Sequence, residues 1–210
     1  ELLMAARGNS GNIAARFFSG LLLAEGVGDL AGPVRIGSER ARQAVRDPRP
    51  GTMLTVFEAL VTALEEAPPP CDRRWGDRIV ERLAAAVLST PRLLPKLAAA
   101  GVVDAGALGI FIYFEGFFLA LSGEGESRRP VTERFMDRLR ISPSFRETDE
   151  SGICVDTVLR IGAGETPLGR LSALGESVVV LREGEYLKVH LHAPNERRVR
   201  EELASLGEVV

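Results

Sequence analysis

The two histidines of this 210-residue chain, His190 and His192, lie two positions apart in the segment EYLKVHLHA. In a β-strand alternate residues share one face, so both imidazoles are expected on the same side while Val189 and Leu191 face a core. Cys154 lies in a second β-branched segment, ICVDTVLRI, and two imidazoles with one thiolate are a ligand set that zinc favours. The alternative is a pair of solvent-facing histidines and a buried cysteine, since His-x-His is a short and common pattern.

Three glycine-containing loops are a second place for chemistry, because each precedes an apolar helical pattern. They are RGNSG at 7–11, PGT at 50–52 and VVDAG at 102–106. A helix N-terminus leaves N–H groups unpaired and carries positive partial charge, and glycine lets an anion approach the backbone. Three such termini at one end of a helical bundle could hold a nucleotide. The alternative is that the polar residues of these loops only cap their helices. Those residues are Asn9, Ser10, Thr52 and Asp104.

The elements that must position these residues change in character near the middle of the chain. From Ile13 to Leu121, apolar residues recur every three or four positions, which is typical of amphipathic helices. Residues 122–130, SGEGESRRP, are polar and rich in glycine, which favours a linker. Beyond them, β-branched runs bounded by glycine predict strands, and PNERRVREELASLG predicts a closing helix. The predicted organisation is an all-helical domain over 1–122, a linker over 123–148 and a small α/β domain over 149–210.

One helix boundary inside the helical half is predicted from three residue types. Thr90 favours an N-cap, Pro91 the first helical position and Gly101 a left-handed stop. We therefore expect a helix over 91–100, with Pro95 in its first turn or at a kink.

Composition excludes several classes of protein. The 26 Lys and Arg residues are balanced by 29 Asp and Glu residues without a basic block, so nucleic-acid binding is not expected. Apolar runs fall short of the about 20 residues that span a bilayer, so membrane insertion is not expected either. Two cysteines, Cys71 and Cys154, are too few for a disulfide framework, which favours a cytoplasmic location.

Three longer segments of the helical half keep a fixed order: ARGNSG at 6–11, PGTMLTV at 50–56 and AGVVDAG at 100–106. They resemble the signature segments of the kinase domain that the L subunit of dihydroxyacetone kinase shares with fatty acid kinase A. The resemblance covers this half nearly end to end and implies an antiparallel barrel of helices that binds ATP or ADP at one end. The residues that it implies for nucleotide binding are Gly8, Asn9, Ser10, Gly11, Gly51, Thr52, Asp104, Ala105 and Gly106.

The same resemblance implies Mg²⁺, held in the family by an Asp-Gly-Asp-x-Gly loop upstream of the segment that corresponds to ARGNSG. The given residues begin after that loop, so no catalytic residue is expected among them and the 210 residues alone are expected to be inactive. The sequence also departs from the family pattern at two places. Asn12 stands where an aliphatic residue is usual, and Ala107-Leu108 replace a Gly-Gln pair.

The C-terminal segments GICVD at 152–156 and KVHLHA at 188–193 resemble Gly-Tyr-Cys-Thr-Glu and Lys-Val-His-Val-His-Thr in the middle domain of fatty acid kinase A. In the family this set forms a zinc site, which the resemblance places at Cys154, His190 and His192. The departures, isoleucine for tyrosine and Val-Asp for Thr-Glu, leave all three candidate ligands intact.

The activity that the resemblance implies is ATP- and Mg²⁺-dependent phosphorylation of a fatty acid carboxylate to an acyl phosphate. A fatty-acid-binding partner protein would present the acid, and a homodimer is a further possible assembly. The second domain favours this activity over a dihydroxyacetone-type kinase, whose L subunit resembles only the first domain. A noncatalytic nucleotide- or ligand-binding module without the metal loop is the remaining alternative.

Overall fold

The computed structural model describes residues 5–66, 73–123, 129–146, 152–162 and 164–210, and Cys71 lies outside them. The α-helices are α1 (Gly8–Leu21), α2 (Ala31–Gln43), α3 (Met53–Glu66), α4 (Arg73–Leu93), α5 (Pro95–Ala100), α6 (Ala105–Leu121), α7 (Val131–Arg134), α8 (Leu168–Ser172) and α9 (Glu196–Leu206). The strands are β1 (Ile153–Arg160), β2 (Glu176–Glu183), β3 (Tyr186–Ala193) and β4 (Glu208–Val209). The chain is thus mostly helical, with a small sheet near its C-terminus.

By spatial contact the chain divides into two compact units. The sheet unit comprises Glu1–Phe18, Glu39–Pro48 and Thr148–Val210, and the helical unit comprises Ser19–Ser38 and Arg49–Glu147. The start of α1 is therefore grouped with the sheet. The domain boundaries that the sequence predicts stay a prediction, since this grouping follows contacts rather than the course of the chain.

The helical unit is built around α3, α4 and α6, which pack against one another. Their apolar residues recur at helical spacing, and Phe111, Phe114 and Phe118 of α6 are buried as expected for a core, whereas Tyr113 is exposed. Trp75 of α4 meets Phe118 of α6 edge to face, with ring centroids 5.3 Å apart. None of the helices in the described part of the chain combines the length and apolar character needed to cross a bilayer.

The predicted helix start at Thr90 is wrong, because α4 continues through Pro91 to Leu93. Pro91 has no N–H to donate to the carbonyl of Val87, one helical turn earlier. The Thr90 hydroxyl donates to that carbonyl instead, at 2.8 Å, which removes the cost of leaving it unpaired. The break comes at Leu94, which is extended as residues before proline prefer to be.

The helix end predicted at Gly101 is confirmed. Gly101 follows α5 with φ +72°, and its N–H donates to the Ala98 carbonyl. Pro95 occupies the first turn of α5, where its missing N–H costs nothing.

The sheet has the order β2-β3-β1-β4, and each of its pairings is antiparallel. Strands β1 and β3 pair along their whole length, from Ile153 opposite Ala193 to Arg160 opposite Tyr186. One face of this pair packs on α9 and forms the core of the unit. The core residues there include Leu159, Leu187, Val189, Leu191, Val199 and Leu203. The other face carries the candidate metal ligands.

Candidate functional site

The register of β1 and β3 brings the three predicted metal ligands together. Cys154 lies directly opposite His192, and Asp156 lies directly opposite His190, so all four share one face. The ligand atoms of Cys154, His190 and His192 all lie within 4.8 Å of one another. Ligand atoms on one tetrahedral zinc lie about 3.3 to 3.8 Å apart, given bonds of about 2.0 to 2.3 Å, so small side-chain rotations would reach that spacing.

The exposure of the three side chains argues against the alternative of two solvent-facing histidines with a buried cysteine. His190 is buried, whereas Cys154 and His192 are exposed, so the arrangement of two exposed histidines and a buried cysteine is wrong. Burial also lowers the pKa of His190, against the opposing effect of the Asp156 carboxylate. A neutral imidazole is the form that binds a metal ion. Within the described residues, neither ring nitrogen of His190 has a hydrogen-bond partner, which fits an unfilled ligand role.

Two charged residues beside the histidines were not assigned a role from the sequence. Asp156 Oδ2 lies 3.4 Å from His190 Nδ1, and Asp156 Oδ1 lies 3.9 Å from Lys188 Nζ. Lys188 is 1% exposed and donates to the carbonyl of Ala6, and burial lowers its pKa. The period of two in ICVD and KVHLH places both residues on the metal face, and this was the signal available for finding them.

The first predicted phosphate loop lies at the start of α1, in the sheet unit. The helix begins at Gly8, whose φ is +65°, so Asn9 and Ser10 lie in its first turn rather than at an N-cap. The Gly8 N–H donates to Asp156 Oδ2 at 2.7 Å. A carboxylate of the same chain thus accepts at the helix terminus where the resemblance implies a phosphate.

The second predicted loop precedes α3 in the helical unit. Gly51 has φ +89°, and its N–H donates to Thr55 Oγ1 at 2.8 Å. A Cβ added at Gly51 would lie 2.8 Å from Leu94 Cγ and 3.1 Å from the Thr90 carbonyl oxygen, so the position requires glycine. Thr52 Oγ1 accepts from Leu54 N at 3.3 Å, as a helix cap does.

The third predicted loop precedes α6 in the same unit. Asp104 is the N-cap of α6, and its Oδ1 accepts from Ala107 N at 2.7 Å, in the helical turn that also holds Ala105 and Gly106. Burial raises the pKa of Asp104, although two backbone hydrogen bonds oppose the shift. Asp104 N donates to Thr90 Oγ1 at 3.0 Å. Thr90 therefore lies next to both loops of the helical unit. Its predicted position at a helix start gave no indication of this.

For Thr52 and Asp104 the capping interpretation accounts for the observed contacts, and nucleotide binding by the nine predicted residues stays a prediction. Asn12, one of the departures, is fully buried. Within the described residues neither its Nδ2 nor its Oδ1 has a hydrogen-bond partner.

Comparison with known proteins gives two family matches. Residues 1–118 match the family described as DAK2 domain, and residues 151–210 match the family described as the fatty acid kinase A-like middle domain. Protein YloV of Bacillus subtilis is 30% identical over 230 residues, which cover 100% of this chain and 42% of that protein. An uncharacterized protein of Staphylococcus epidermidis is 32% identical over 212 residues, or 91% of this chain and 38% of that protein. The chain thus spans about two fifths of the length of these relatives.

Proposed function

Because this chain belongs to the kinase-related DAK2-domain family and carries a fatty acid kinase A-like middle domain, we propose that it is part of an ATP- and Mg²⁺-dependent fatty acid kinase. The product would be an acyl phosphate. The observation that carries the proposal is the presence of both family matches in one chain. The middle-domain match favours a fatty acid over dihydroxyacetone as the phosphoryl acceptor.

Nucleotide binding is proposed for the residues that the family resemblance implies, taken separately in each unit: the loop at Gly8 in the sheet unit, and the loops at Gly51 and Asp104 in the helical unit. The proposal is supported by the positive φ at Gly8 and Gly51 and, in the helical unit, by Thr90, which accepts a hydrogen bond from Asp104 N and lies next to Gly51. The packed helices would form the antiparallel barrel of the family. The Mg²⁺ ligands would come from an aspartate loop of the kind that the family carries, because phosphoryl transfer needs metal ions to neutralise the phosphate charge.

A zinc ion is proposed at the second site, held by Cys154, His190 and His192. The convergence of the three ligand atoms and the absence, within the described residues, of a hydrogen-bond partner for either ring nitrogen of His190 support this assignment. Zinc would join β1 to β3, and a site with three protein ligands leaves a fourth position for water or another group. A fatty-acid-binding protein that presents the substrate, a homodimeric assembly and a cytoplasmic location complete the proposal.

The acceptor can be tested with the full-length gene product. We expect radiolabel from [γ-³²P]ATP to reach oleate when a fatty-acid-binding protein delivers it, and not to reach dihydroxyacetone. Labelling of dihydroxyacetone instead would establish the sugar kinase. Thermal stabilisation by ATP without transfer to either acceptor would identify a noncatalytic module.

A further inference from the structure

We propose that Asp156 is a positioning residue for the metal site, which orients His190 through its Nδ1 atom and leaves Nε2 to the metal ion. This role presupposes the zinc site proposed above. The pairing of β1 with β3 places two rungs side by side, one with Cys154 and His192 and the next with Asp156 and His190. The carboxylate therefore stands beside the one ligand of the three that is buried.

The distance between Asp156 and His190 is close to that of a hydrogen bond. Asp156 Oδ2 lies 3.4 Å from His190 Nδ1, and an N–H···O bond needs about 2.7 to 3.2 Å. A small rotation of the ring closes this gap. A histidine ligand that donates its second N–H to a carboxylate keeps one tautomer and becomes a more basic ligand.

Asp156 is itself held in place, as a positioning group must be. Its Oδ2 accepts from the Gly8 N–H at 2.7 Å, and its Oδ1 lies 3.9 Å from the ammonium of Lys188. The side chain is 18% exposed, so water competes little for it. A carboxylate has about four acceptor positions, so the bond from Gly8 leaves room for a second from His190.

The test measures zinc affinity of the 210-residue chain by competition with a chromophoric chelator. Asp156→Ala removes the acceptor and should weaken zinc binding about 10- to 100-fold. Asp156→Asn keeps an uncharged acceptor and should lie between the alanine variant and the wild type, and Asp156→Glu should recover most of the affinity. Glu185→Gln is the matched control, because it removes one negative charge at the end of β3 remote from His192 and should bind as the wild type does.

A second readout separates positioning from a general effect on folding or charge. Imidazole ¹⁵N chemical shifts of the zinc-loaded wild type should show His190 protonated at Nδ1 and metal-bound at Nε2, and the alanine variant should lose this signature. Melting temperatures without metal show whether Asp156→Ala folds. If it does not, the zinc affinities of Asp156→Asn and Asp156→Glu test the positioning role.

Two failures are distinguishable. If the wild-type chain does not bind zinc, or binds it equally well without His192, the proposed zinc site is wrong. If the wild type binds zinc through the three ligands but Asp156→Ala keeps the same affinity and the same His190 tautomer, the positioning role is overturned. An equal loss in Glu185→Gln would also overturn it, because the effect would then follow net charge.

Discussion

The sheet face and the helical loops both gather polar side chains, but they leave them in different states. In the two loops of the helical unit, at 50–52 and 102–106, the polar groups are hydrogen-bonded within the chain. Thr52 and Asp104 accept from their own helices, and Asp104 N donates to Thr90. On the sheet, cross-strand register brings His190 to two other potential ligands, and its ring nitrogens have no hydrogen-bond partner among the described residues. Contacts within the chain therefore explain the loop residues, whereas the sheet cluster has bonding capacity left for a ligand.

The largest effect is expected from removing a ligand of the sheet cluster. Cys154→Ser should lower zinc affinity on the order of a hundredfold, because about 10 to 16 kcal/mol of apparent binding free energy is shared among the ligands of a zinc site. Elemental analysis after chelator-free purification should give about one zinc per wild-type chain. Cys71→Ser, which changes the other cysteine, should keep the metal. Equal zinc content in the two variants would contradict the assignment of Cys154 as a zinc ligand.

A smaller effect, a loss of folding stability, is expected when the Thr90 hydroxyl is removed from the helical unit. Thr90→Val keeps the shape of the side chain but leaves the Val87 carbonyl and the Asp104 N–H without their partner, at a cost of about 2 kcal/mol in the free energy of unfolding. Urea denaturation measures this difference. Thr90→Ser retains the hydroxyl and should lose less. If valine proved as stable as serine, the internal bonding of the loops would not matter to stability.

Gly101 ends one helix and Asp104 caps the start of the next, as the sequence predicts, because helix ends depend on residues close by in the chain. The strand faces also follow, since a period of two decides which side chains point together. The sequence misplaces the helix start at Thr90, because a hydroxyl at that position also replaces the bond that Pro91 cannot make. The contact between Gly8 and Asp156, 148 positions apart, has no local signal at all. Periodicity likewise gives the face of Lys188 but not whether that face is covered.

The smallest effect concerns the charge of Asp104. Its pKa is raised in the folded state above the unfolded value of about 3.9, so the folded state holds the proton more tightly. The stability gained from this group is present at low pH and is lost as pH rises through the folded-state pKa. Asp104→Asn keeps a good cap without the buried charge, so its stability relative to the wild type should increase from about pH 4 upward.

The matched variant for this position is Asp104→Ala, which loses the cap and should cost about 1 kcal/mol at neutral pH. Urea unfolding of the three proteins at several pH values provides the comparison. A stability difference between asparagine and wild type that does not change with pH would show that burial does not shift this carboxyl.

The burial of Lys188 gives the sheet unit a chemical reporter of its own opening. The chain contains two lysines, Lys96 and Lys188, and its arginines do not react with amine-directed esters near neutral pH. Lys96 is exposed, whereas Lys188 is 1% exposed. In the folded protein such an ester acylates the exposed Lys96, and it reaches Lys188 only when the contacts that bury Lys188 open. The ratio of the two modified peptides therefore records how often the contacts that bury Lys188 open, without any engineered label.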